Sequence, residues 1–312
     1  MTWITILLVF LIIFPRVING KYANFSSAEL KKLEIIREVK KYEKKINLDP
    51  TDNYLIFEEK SSRNNVLYFH DKFDLPFSFV DSKMEERLCP HDNIKENAKW
   101  LMEQEGIDLF KKDFYFYVTL GVAGGSKITR KFLKSSRGDI IEAVFHEDFH
   151  SNVNLPMNME EAAADVIDTV AKCKFLSLDD FEISKRLLRR ELFFALPIIR
   201  CREELIRLHD LYQKKVIDKK IYLLEKKRVL KAYKFKNITK LCSENTYAHY
   251  FPLMRALMIS LHYDVGKFIK LMKECPFKDP QWNSNPGRYF NETRRREKQM
   301  EVWIRNIIRD RF

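Results

Sequence analysis

Residues 145–150 read FHEDFH, and this short string constrains the fold more than any other in the chain. His146 and His150 stand four apart, with Glu147 directly after the first. On a helix they share one face, because helical residues four apart differ by about 40° in azimuth. Two imidazole nitrogens then meet one metal ion. Glu147 reaches a water on that ion without binding the metal itself. The bland alternative is two histidines on the polar side of an ordinary helix. With 7 histidines in 312 residues, a chance HExxH arises in on the order of one in a hundred such chains. The flanking sequence therefore has to decide.

Upstream stands SSRGDIIEAV, where Asp139 and Glu142 have the spacing of a capping box. A helix from near 140 through 150 is expected. Downstream, SNVNLPMN is polar and contains Pro156, so it reads as a loop. MEEAAADVIDTVA, from Met159, is a strong helix former. Glu161 or Glu160, at its start, can complete a His₂Glu set that leaves a fourth position to water. Asp165 lies four beyond Glu161 on the same face and can accept a hydrogen bond from a ligand imidazole. Ala162, Ala163 and Ala164 allow close packing of the two helices. The plain alternative for the glutamates is helix N-terminal acids favoured by the macrodipole. A di-iron site would need a second ExxH helix, and the sequence contains none.

The rest of the chain frames this core. Residues 3–14 are almost wholly apolar and are broken by Pro15 and Arg16. That is short for a membrane span and suits a signal-peptide core or N-terminal anchor, so export is expected. The formal charge of +12 is concentrated in the C-terminal half, in runs such as KKVIDKKIYLLEKKR. It reads as the solvated face of long helices, and an exported setting gives no expectation of a nucleic-acid partner. Five cysteines without a CxxC pair signal neither a thiolate zinc site nor a disulfide framework.

Helices are expected over 26–48, capped by Ser26 or Ser27, and over 93–107. Strands are expected over 53–59, 65–73 and 114–120. The last runs into Gly121, Gly124 and Gly125, where a peptide could lie along the edge. From 180 to 234 the pattern is helical and basic, divided at Pro197. Helices also fit 246–274 and 292–310. NTYAHYF offers Tyr247 as donor to an oxyanion, while Tyr250 and Phe251 read equally as core aromatics.

HEDFH followed by LPMNMEEAAAD resembles the gluzincins, the zinc metallopeptidases with HExxH and a downstream glutamate. EAAAD is similar to the Glu-x-x-x-Asp of thermolysin-like enzymes, which implies Glu161 as ligand and Asp165 as its support. The spacer after His150 is shorter than in those enzymes, which leaves Glu160 and Glu161 open. Over roughly 114–275 the chain also resembles a bacterial family of predicted aminopeptidases, with Tyr247 and Pro252 at that family's spacing. The Gly-x-Met-x-Asn strand of alanyl-aminopeptidase-like enzymes is absent, and GVAGG stands in its place.

The expected fold is α+β and predominantly helical. It has a zincin-like catalytic core, a small mixed sheet and an α-helical C-terminal half. Residues 1–20 form the signal or anchor, 21–175 a mixed part with the zinc-binding helices, and 176–312 a basic helical part packed on it. The expected function is zinc-dependent peptide hydrolysis, with His146, His150 and Glu161 as ligands, Glu147 as general base and Tyr247 in support. The alternative is an exported or anchored helical binding protein with a structural or degenerate zinc site. A third reading is a basic membrane-surface protein.

Overall fold

The computed structural model describes residues 25–59, 64–79, 81–119, 125–176, 181–280 and 286–311. The apolar segment 3–14 and the glycines at 121 and 124 lie outside the described residues. Helix α1 (Ser27–Glu43) begins where the Ser26 hydroxyl accepts from the Glu29 N–H. The Glu29 carboxylate in turn accepts from the Ser26 N–H, at 2.8 Å. This reciprocal box selects Ser26 over Ser27 as the cap.

The strands fall into two small sheets. β2 (Asn64–Asp71) pairs antiparallel with both β3 (Glu85–Cys89) and β4 (Lys112–Thr119). Leu67 and Phe69 of this sheet are buried with Leu101 of α2 (Ile94–Glu105) and with Leu109. Separately, β1 (Phe57–Glu58) pairs in parallel with β5 (Ile128–Thr129). The strand expected over 53–59 thus shrinks to two residues. The strand is cut short at Tyr54, which takes a left-handed φ of 56°, unusual for an aromatic residue. It is fixed there by its N–H to the Ser126 carbonyl at 2.7 Å and by stacking on Phe132.

The remainder is helical: α3 (Arg137–Asn152), α4 (Met157–Phe175), α5 (Phe181–Gln213), α6 (Lys219–Ala232), α7 (Ile238–Ala248), α8 (Phe251–Ser260), α9 (Val265–Lys273) and α10 (Pro286–Arg309). The chain is therefore predominantly helical with a small β component. α5 runs unbroken through Pro197, against the expected division. Pro197 is exposed, so the carbonyl freed four residues earlier lies on the solvent side of the helix, where water can satisfy it.

The principal core joins both expected parts of the chain. Ile140, Ile141, Val144, Phe145 and Phe149 of α3 meet Ile167 and Val170 of α4, with Met254 and Leu257 of α8 and Ile304 of α10. Ala162, Ala163 and Ala164 are fully buried. Their small side chains let α4 lie close against its neighbours, as their composition implies. All five cysteines are buried and unpaired. Among the described residues, no helix is long and apolar enough to cross a membrane.

Candidate metal centre

The site is built on two helices joined by a short turn. α3 starts at Ser136, whose hydroxyl accepts from the Asp139 N–H while the Asp139 carboxylate accepts from the Ser136 N–H. The box therefore sits three residues earlier than the expected Asp139–Glu142 pair, with Asp139 in the carboxylate role. One turn separates His146 from His150, and their ring centroids are 4.8 Å apart. Pro156 stands at the N-cap of α4 with no side-chain hydrogen bond, and its carbonyl accepts from the Glu160 N–H at 3.0 Å.

Glu160 and Glu161 take different places. Glu160 accepts the Leu155 N–H on one oxygen at 2.6 Å and faces His150 Nδ1 with the other at 2.8 Å. Glu161 presents Oε2 to both imidazoles, 3.4 Å from His146 Nε2 and 3.4 Å from His150 Nε2. These separations exceed the usual N–H···O range. They match the edge of a tetrahedron of ligands around zinc, about 3.3–3.5 Å for metal–ligand bonds of about 2.0–2.1 Å. Glu161 Oε2 is buried and has no hydrogen-bond donor. A buried anionic oxygen between two nitrogen lone pairs is the arrangement a divalent cation satisfies. His146, His150 and Glu161 thus form a group of potential ligand atoms within 4.8 Å of one another.

The far sides of both rings are held by carboxylates. His150 Nδ1 donates to Glu160. His146 Nδ1 donates to Asp168 at 3.1 Å, while Asp165 stands back at 3.7 Å. The supporting role expected of Asp165 thus belongs mainly to Asp168, which sequence reasoning passed over. Its signal was present: Glu161, Asp165 and Asp168 recur at i, i+4 and i+7 along one face of α4. When the rings are neutral, carboxylates on both Nδ1 atoms fix the tautomers so that both Nε2 lone pairs face Glu161.

The electrostatics agree with the geometry. Burial opposes ionisation of Glu161, yet His146 and His150 hold its carboxyl down at about 2. Burial likewise opposes the charged form of His150, but Glu160 and Glu161 raise it to about 9. His146 is raised well above its ordinary value by Asp168 and Glu161, against its burial. The surrounding carboxylates thus favour the charged form of both rings, and a cation entering this group would compete with protons for them. Glu147, raised by burial and opposed by both histidines, shares their electrostatic neighbourhood.

A buried polar network anchors the helix behind Glu147. Asp148, fully buried, is ion-paired to Lys40 of α1. It accepts from the Thr51 hydroxyl at 2.6 Å and from Asn53 Nδ2 at 3.1 Å. Asn53 Nδ2 also reaches the Glu147 carbonyl, at 3.0 Å. Burial and the neighbouring Asp148 push Glu43 up to about 10, so it carries a proton beside that carboxylate. On the other flank, Asn158 in the first turn of α4 donates to the fully buried Glu297 of α10.

Tyr247 lies in the last turn of α7, 39% exposed, on a helix packed against α4. Tyr250 and Phe251 are core residues, and Pro252 opens α8. No protein-family model, curated protein or solved structure matches this chain.

Proposed function

We propose that the chain is a zinc-dependent peptide hydrolase of gluzincin type, with a zincin-like core formed by α3 and α4. The observation that carries this reading is the donorless Glu161 Oε2 placed 3.4 Å from both His146 Nε2 and His150 Nε2. Three protein ligands, with no fourth joining them among the described residues, suit a catalytic zinc that keeps one position for water. A structural site is normally closed by four protein ligands, which weighs against the binding-protein alternative.

When bound, zinc would supply Lewis acidity and lower the pKa of a coordinated water to about 7. His146, His150 and Glu161 would hold it. Asp168 and Glu160 keep the two imidazoles in the tautomer and orientation that ligation requires. Glu147, one residue on from His146 and partly desolvated, accepts the proton of the attacking water and passes it to the leaving amine. Tyr247 is assigned as donor to the oxyanion. The substrate is a peptide or protein. On the pattern of residues 3–14, the enzyme works in an exported or membrane-anchored setting.

The test is hydrolysis of a mixed peptide pool by the purified chain. Cleavage should disappear on chelation and return with about one equivalent of zinc. A zinc-loaded chain that cleaves no peptide would instead favour the binding protein.

A further inference from the structure

The α5–α6 hairpin carries a face that neither the core nor the metal centre uses. Its inner side is fully occupied. Tyr222 is buried, stacked on Tyr212 with centroids 4.6 Å apart, and its hydroxyl meets His209 Nδ1 at 3.2 Å. One turn on, Lys226 is buried, bonded to the Lys72 carbonyl at 2.6 Å and paired with Asp113 at 3.0 Å. Leu230 continues the same stripe into a small cluster with Cys201, Leu205 and Leu241.

The outer side is different. Leu224 lies about 200° around the helix from Tyr222 and is 64% exposed. Lys220, Lys227, Arg228 and Lys231 surround it, all exposed. The hairpin tip adds Val216, 66% exposed, with Leu211 and Ile221. Over residues 211–234, nine Lys and Arg stand against two acids. One acid, Asp218, caps α6, and the other, Glu225, pairs with Arg228. Lys214, Lys215, Lys220, Lys227 and Lys231 form no ion pair among the described residues. The cations continue into a groove of about 520 Å³ lined by Lys227, Lys231, Lys234 and Lys72.

We infer that this hairpin docks the protein on the surface of an anionic phospholipid bilayer, with Leu224, Ile221 and Val216 entering the interface. The charge excess is complementary to an anionic leaflet, which attracts clustered lysines. The exposed aliphatic side chains distinguish this partner from nucleic acid. A bilayer interface receives them, whereas a phosphate backbone gains nothing from them. Eight of the nine cations are lysines, acting as point charges rather than as bidentate, stacking arginines. This inference is independent of the zinc site, because none of its residues is a ligand or a supporting group there.

The experiment is co-sedimentation of the full chain with vesicles of phosphatidylglycerol and phosphatidylcholine, compared with phosphatidylcholine alone. Binding should be strong on the anionic vesicles at about 0.1 M salt and lost near 1 M. Each cation contributes roughly fivefold, so K220Q/K227Q/K231Q should bind about a hundredfold more weakly. Leu224→Gln should weaken vesicle binding by about tenfold and leave any binding to duplex DNA unchanged. Equal binding to neutral and anionic vesicles would overturn the inference. So would a triple variant that binds like the parent. Tighter binding to duplex DNA than to anionic vesicles, insensitive to Leu224→Gln, would assign the face to nucleic acid instead.

Discussion

Glu147→Gln is expected to lower peptide hydrolysis by about 10²- to 10⁴-fold, the usual contribution of a positioned general base. The substitution keeps the side chain's size and its place after His146 but removes its basicity. None of the three ligand atoms is touched, so zinc content should be unchanged. The Asn53 side-chain amide donates to the backbone carbonyl of Glu147, not to its carboxylate, so the anchoring of α3 should also persist. Rate and metal content measured on the same preparation separate loss of the base from loss of the site. Residual activity within a few-fold of the parent would remove Glu147 from the mechanism and leave the ligand assignment standing.

Lys40→Met is expected to destabilise the fold by about 3–5 kcal/mol, the typical effect of removing one partner of a buried ion pair. Asp148 is fully buried, and the Lys40 side chain is only 10% exposed. Methionine fills most of the lysine's volume, so the loss is chiefly that of charge. Asp148 keeps its bonds from Thr51 and Asn53, and protonated Glu43 lies beside it. These partners place the expected value near the lower end. Denaturant unfolding should show a lower midpoint with an unchanged slope. A change below about 1 kcal/mol would mean that Lys40 behaves as an exposed cation and is no anchor for α3.

Much of this centre was legible in the sequence because its logic is local. The spacing of His146 and His150 needs only helical geometry, and the Pro156 turn followed by an alanine-rich helix needs only propensity. The choice between Glu160 and Glu161 was not legible. It depends on where the Leu155 N–H points, since that bond draws Glu160 away from the Nε2 atoms and onto His150 Nδ1. Asp168 was readable as the third acid of a helical face, but only packing reveals that it, rather than Asp165, reaches His146.

The misplaced boundaries also have tertiary causes. Pro197 reads as a helix breaker until its exposure is known. The strand expected over 53–59 fails because Asn53 and Tyr54 are recruited to hold α3 and residue 126. The Lys40–Asp148 pair spans more than a hundred residues of sequence, and no local pattern announces it.

The central claim is that His146, His150 and Glu161 together hold one zinc ion. The most direct measurement is elemental analysis of the purified chain beside His146→Ala. About one zinc per chain, lost in the variant, is the predicted result. A metal-free parent, or a variant that retains the parent's zinc, would contradict it.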